Sequence, residues 1–97
     1  MIKDYGERVR HLHFKDCSPS LRQHCIAGKL DCFDAVKAGV FCELDQGDVD
    51  FPVIVAEIEN LGYNGWVTVE QDVLTDDIDA PKQSAPRNRE YLRSLGL

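Results

Sequence analysis

Apolar residues recur at two different spacings along the chain, and the change of spacing marks the elements. Between Arg8 and Lys15 the spacing is two, with Leu12 and Phe14 alternating with His11, His13 and Lys15. That alternation predicts a strand with one apolar and one polar face. Ser18 and Pro19 form a helix start, N-cap then first turn, and predict a helix to about Ala27 closed by Gly28. Asp31 is placed to cap a second short helix through Val36 and Ala38, ended by Gly39. Val40 to Leu44 reads as extended, and Asp45-Gln46-Gly47-Asp48 as a turn. Asp50 is the clearest cap: Pro52 follows it, and Ile54, Val55, Ile58 and Leu61 make one apolar helical stripe that stops at Gly62. Beyond the turn Tyr63-Asn64-Gly65, the β-rich run Trp66 to Glu70 separates Val67 and Val69 from Trp66, Thr68 and Glu70. Trp66 is expected in the core. A last helix is expected from Pro86 to about Leu95, because proline disfavours helical backbone at the residue before it.

The order is strand, helical excursion, helix, strand, helix, which makes the fold class α/β. Two strands joined by a helical connection are most simply parallel, in a right-handed β-α-β unit. Parallel strands are normally covered on both faces, and two of them do not make a stable sheet alone. The pattern therefore predicts a slice of a larger α/β fold, and the length of 97 residues allows one small domain at most.

Composition narrows the partners. A formal net charge of -6 argues against nucleic acid or an anionic membrane surface, both of which call for clustered Lys and Arg. No run approaches the roughly 18 to 20 apolar residues that span a bilayer. The charged start MIKDYGERVR lacks the apolar stretch of a secretory signal, so a cytoplasmic protein is expected. Cys17, Cys25, Cys32 and Cys42 contain no C-x-x-C pair, so free thiols are expected rather than a zinc ribbon or redox dithiol.

Polar residues gather where each strand ends: His13, Lys15 and Asp16 on the first, Glu70, Gln71 and Asp72 on the second. Chemistry in parallel α/β folds sits at the carboxyl ends of strands. Adjacent parallel strands would bring the His13 imidazole and the Glu70 carboxylate to one site, a pair that suits Mn²⁺, Fe²⁺, Co²⁺ or Zn²⁺. Blander readings stand beside this one. An H-x-H is common on a solvated strand face, Glu70 could be a solvated or helix-capping carboxylate, and Lys15 and Asp16 could form a surface ion pair. His24 and Cys25 fit packing or surface. Asp72, Asp76, Asp77 and Asp79 lack the spacing and the glycine of a calcium loop and read as solvated loop.

The segments RVRHLHFKD, GVFCELDQGDVDFP, LGYNGWVTVEQDV and APRNREYLRSLGL, in that order, resemble the last two βα units of the inosose dehydratase family. That family belongs to the xylose isomerase-like sugar isomerase/epimerase superfamily of (β/α)8 TIM barrels. The resemblance covers nearly the whole chain and implies that residues 1–97 are the C-terminal portion of such a barrel, an incomplete one, since a full barrel takes about 250 residues. Met1 would then be a truncation point or a misassigned start just before strand seven. The resemblance implies one divalent metal, Mn²⁺ or Co²⁺ foremost and Zn²⁺, Mg²⁺ or Fe²⁺ as further candidates, with His13 and Glu70 as two of its ligands. It implies a polyol ketone or keto sugar as substrate, Glu70 and Lys15 in proton transfer, and Asp16, Gln71 and Asp72 near the substrate. The implied reaction is dehydration of 2-keto-myo-inositol through an enediolate; isomerisation or epimerisation shares its first proton abstraction. The family usually has Gly where Asp45 stands, and another helix residue where Pro86 stands. A chain of this length expressed alone is expected to self-associate, as a partner of itself without catalysis, because its strands keep free edges.

Overall fold

The computed structural model describes residues 2–97; Met1, and the expectation attached to it, lie outside the described residues. The elements run α1 (Ile2–Tyr5), a 3-10 turn (Gly6–Arg8), β1 (His11–Phe14), β2 (Asp16–Cys17), α2 (Pro19–Ile26), α3 (Cys32–Lys37), β3 (Phe41–Cys42), α4 (Phe51–Asn60), β4 (Trp66–Val69) and α5 (Ala80–Ser94). β1 and β4 pair in parallel, with His11 opposite Trp66, Leu12 opposite Val67, His13 opposite Thr68 and Phe14 opposite Val69. The Glu70 N–H continues the ladder to the Phe14 carbonyl at 2.9 Å. β2 and β3 form a separate antiparallel pair, Asp16 opposite Cys42. The α/β class and the parallel pairing expected from the hydrophobic pattern are both present.

The period-two pattern decides which way this sheet faces. Leu12, Phe14, Val67 and Val69 share one face, and against it α4 brings Phe51, Val55 and Ile58 while α5 brings Leu92. Leu44 joins them from the loop after β3, and these buried side chains are the core. Both caps expected from Asp31 and Asp50 form: their carboxylates accept from the N–H groups of Asp34 and Val53. α4 ends where Gly62 turns left-handed at φ 63°, which lets the Tyr63 N–H reach back to the Ile58 carbonyl.

Two expectations are overturned. The last helix begins at Ala80, not at Pro86, and carries Pro86 inside it. Proline only disfavours the helical region at Ala85; here Ser84, Arg87 and Asn88 are tied to the rest of the molecule and hold the helix through that position. Trp66 is not core: it stands 81% exposed. Its parity places it with Thr68 and Glu70 on the polar face, where His11, His13 and Thr68 are exposed as well, so no element among the described residues covers that face. α1 was not anticipated, since its four residues carry no periodic pattern long enough to read.

Candidate active site

The uncovered sheet face carries the polar residues of β1 and β4. Lys15, one residue past β1, places its ammonium 2.6 Å from Glu70 Oε1 and 2.6 Å from Asp72 Oδ2. The other Glu70 oxygen lies 3.0 Å from His13 Nδ1. His11 Nε2 pairs with the Thr68 hydroxyl at 3.0 Å, and the two imidazoles meet edge-on with centroids 4.9 Å apart. Beneath Lys15, the Phe41 ring of β3 lies with its centroid 4.2 Å from the ammonium, a cation–π contact. Sequence reasoning did not single out Phe41 or His11; the period-two face alone could have flagged His11.

Of the residues expected at the site, His13, Lys15, Glu70 and Asp72 are brought together, and Asp16 and Gln71 are not. Asp16 is completely buried. Its Oδ1 accepts from the N–H groups of Cys17 and Val49, and its Oδ2 from those of Asp45 and Gly47. A carboxylate so occupied holds the 45–49 loop closed and presents no oxygen to a substrate; the surface ion pair with Lys15 is likewise not formed. A Cβ on Gly47 would collide with the Asp16 carboxylate, so the loop needs glycine there. Asp45, where the resemblance leads one to expect Gly, is the one non-glycine residue with positive φ among the described residues, at 78°. Gln71 faces away from Lys15 and accepts from Asn88 Nδ2 at 3.1 Å. The four cysteines are free thiols. Burial, first, and the nearby Asp16 charge push the Cys42 thiol up to about 11, so it stays protonated at neutral pH.

The electrostatics assign protonation states. Hydrogen bonds that the Lys15 ammonium donates to Asp72, first, and to Glu70 raise its pKa above the ordinary value, so Lys15 is an ammonium at neutral pH and suits proton donation or charge stabilisation better than proton abstraction. Hydrogen bonds from Lys15 and then His13 hold Glu70 below the ordinary carboxylate range, so Glu70 is ionised. The His13 Nδ1 to Glu70 Oε2 separation of 3.0 Å also matches the spacing of two neighbouring ligands on one metal, about 3 Å for bonds of about 2.1 Å at right angles. Among the described residues no group of three His, Cys, Asp or Glu side chains is placed to hold a metal. His13 and Glu70 are therefore spaced as two neighbouring ligands would be, and no third such side chain joins them among the described residues.

The chain is 34% identical over 93 residues to inosose dehydratase of Geobacillus thermodenitrificans, covering 96% of this chain and 31% of that protein. It is 30% identical over 93 residues to inosose dehydratase of Klebsiella pneumoniae, again with 96% and 31% coverage. This chain resembles inosose dehydratases. Rhizopine catabolism protein MocC of Rhizobium meliloti is 35% identical over 68 residues, 70% of this chain and 21% of that protein. No family model matches the chain. The chain therefore spans about 31% of the length of the inosose dehydratases it matches. No helix among the described residues is long and apolar enough to cross a membrane.

Proposed function

We propose that this chain supplies the carboxyl-end corner of a (β/α)8 barrel whose intact form is an inosose dehydratase-like hydro-lyase acting on a cyclic polyol ketone. One observation carries the reading: His13, Lys15, Glu70 and Asp72 converge at the carboxyl ends of two parallel strands, in a chain similar over 96% of its length to inosose dehydratases. The uncovered face of the β1–β4 sheet would be the barrel interior, and the free strand edges would pair with the strands that complete it. His13 and Glu70 would be two of the ligands of a divalent metal, Mn²⁺ or Co²⁺ foremost. When bound, that ion would supply Lewis acidity to the substrate's ketone oxygen.

The chain's own groups divide the remaining work. Elimination of water from a ketone needs the α-proton removed and the β-hydroxyl protonated as it leaves. Lys15, held as an ammonium between two carboxylates, would give its proton to the departing hydroxyl. The ionised Glu70 has an oxygen on the same face and would take up or relay the α-proton. Asp72 would orient the substrate's hydroxyl groups and keep Lys15 charged. A keto-sugar isomerase would use the same first step.

Calorimetric titration with Mn²⁺ and Co²⁺ tests the reading. Binding in the micromolar range that His13→Ala with Glu70→Ala abolishes would support it and justify an assay with 2-keto-myo-inositol. Binding indifferent to both substitutions, or none, would show that these residues do not hold a metal in this chain.

A second reading has its own observation. Trp66 is 81% exposed beside the unpaired edge of β4. A groove of about 800 Å³ lies between β4 and α5, lined by Trp66, Val67, Val69, Val73, Pro81 and Leu92 among others. Such a surface suits self-association of copies without catalysis.

A further inference from the structure

Beyond β4 the chain keeps the alternation of an extended strand, so Glu70 and Asp72 turn toward Lys15 while Gln71 turns the other way. There it meets Asn88, which is only 4% exposed although it lies in the middle of α5. Asparagine is a poor residue for a helix interior, and a buried one needs a reason in hydrogen bonding. Asn88 Oδ1 accepts the Leu44 backbone N–H at 2.8 Å, and Nδ2 donates to Gln71 Oε1 at 3.1 Å. The backbone amide can only donate, which assigns the oxygen of Asn88 to Leu44 and leaves its amino group for Gln71. Leu44 closely follows Phe41, whose ring lies beneath the Lys15 ammonium. One buried side chain therefore ties both walls of the Lys15 site to the same helix: the strand end with the two carboxylates, and the segment with the aromatic ring.

We infer that Asn88 is a positioning residue, fixing the Glu70–Asp72 and Phe41–Leu44 walls against each other so that the Lys15 ammonium is held between two carboxylates and an aromatic face. The inference rests on the proposed role of Lys15 for its functional meaning, though not for its geometry. A reacting cation displaced by about 1 Å can lose on the order of 10²-fold in rate, so the distant amide would matter to chemistry it never touches.

The test is NMR of the Lys15 side chain in the unliganded chain. In the wild type the Lys15 Cε protons should be shifted upfield by the Phe41 ring and show cross-relaxation with it. Asn88→Leu and Gln71→Leu should each lose both signatures while keeping a dispersed amide spectrum. Ile58→Val, a mild core truncation on α4, should retain them, which separates positioning from general loosening. Both signatures persisting in Gln71→Leu, or vanishing in Ile58→Val, would overturn the inference. If Asn88→Leu does not fold, Gln71→Leu decides alone, because it leaves the bond to Leu44 intact. Since no metal or substrate is needed, failure of the chain to bind Mn²⁺ would count against the proposed function and leave this result standing.

Discussion

Asp16 concentrates more of the local structure in one side chain than any neighbour does. Its two oxygens take the N–H groups of Cys17, Asp45, Gly47 and Val49 with no exposure to solvent. Removing the acceptor leaves buried donors without partners, each costing about 1–3 kcal/mol. Asp16→Ala should therefore lower stability by about 3–5 kcal/mol, a large part of the roughly 5–15 kcal/mol a domain commonly has. Asp16→Asn should recover part of this, because one carbonyl oxygen still accepts while the new NH₂ faces donors. Urea midpoints for the two variants check the order; equal midpoints to wild type would show that the loop does not depend on Asp16. His13, Lys15 and Glu70 were legible in sequence because parity sets the face and parallel pairing sets the register. Asp16 was not, because nothing in K-D tells whether the aspartate follows the lysine outward or turns under a loop 29 residues away.

At the scale of elements, α5 is where local preference and tertiary structure disagree. Pro86 cannot donate to the carbonyl one turn earlier and its ring crowds that turn, a cost of about 3 kcal/mol or more in a helix interior. Pro86→Ala should raise the urea midpoint, by about 1–3 kcal/mol in stability, and leave the circular dichroism helix signal unchanged or slightly higher. A loss of stability would mean that Pro86 is needed to aim Arg87 and Asn88. Those contacts explain why reading the sequence locally started the helix too late. Ser84 and Arg87 hold Glu43, and Asn88 holds Leu44, across more than 40 residues of chain that no local pattern spans. By contrast α3 and α4 were legible, since Asp31 and Asp50 cap them and an apolar stripe gives α4 its face. The Arg87 guanidinium, with help from Ser84, holds Glu43 below its usual 4.5. The sign follows from a depressed folded pKa: this pairing stabilises above pH 4.5 and is lost as pH falls through the lower folded value. Arg87→Ala should therefore flatten the acid limb of a stability–pH curve and change little of its shape at neutral pH. An acid limb identical to wild type would rule out Glu43 as a contributor.

For the whole molecule, the deciding feature is that one sheet face is built and the other is open. α4 and α5 bury Leu12, Phe14, Val67 and Val69 well enough to form a core. The opposite face keeps His11, His13, Thr68 and Trp66 in solvent, and among the described residues no strand pairs with either outer edge of the β1–β4 pair. Isolated edges of this kind template further strand pairing, and an exposed tryptophan adds area worth burying at about 25 cal/mol per Å². Copies of the chain should thus associate as concentration rises, through the β4 edge and its groove. Light scattering behind size exclusion should show the mass increase, and Trp66, the chain's one tryptophan, should shift its emission to the blue over the same range. Trp66→Lys should keep the chain monomeric to higher concentration, since it places a charge on the surface that would be covered. A closed symmetric species would favour the self-assembling module, and open-ended growth would fit a sheet whose proper neighbours are strands of a longer polypeptide. A chain that stays monomeric at high concentration with solvated Trp66 would sink the association argument. It would also show that two parallel strands backed by α4 and α5 suffice for a soluble unit.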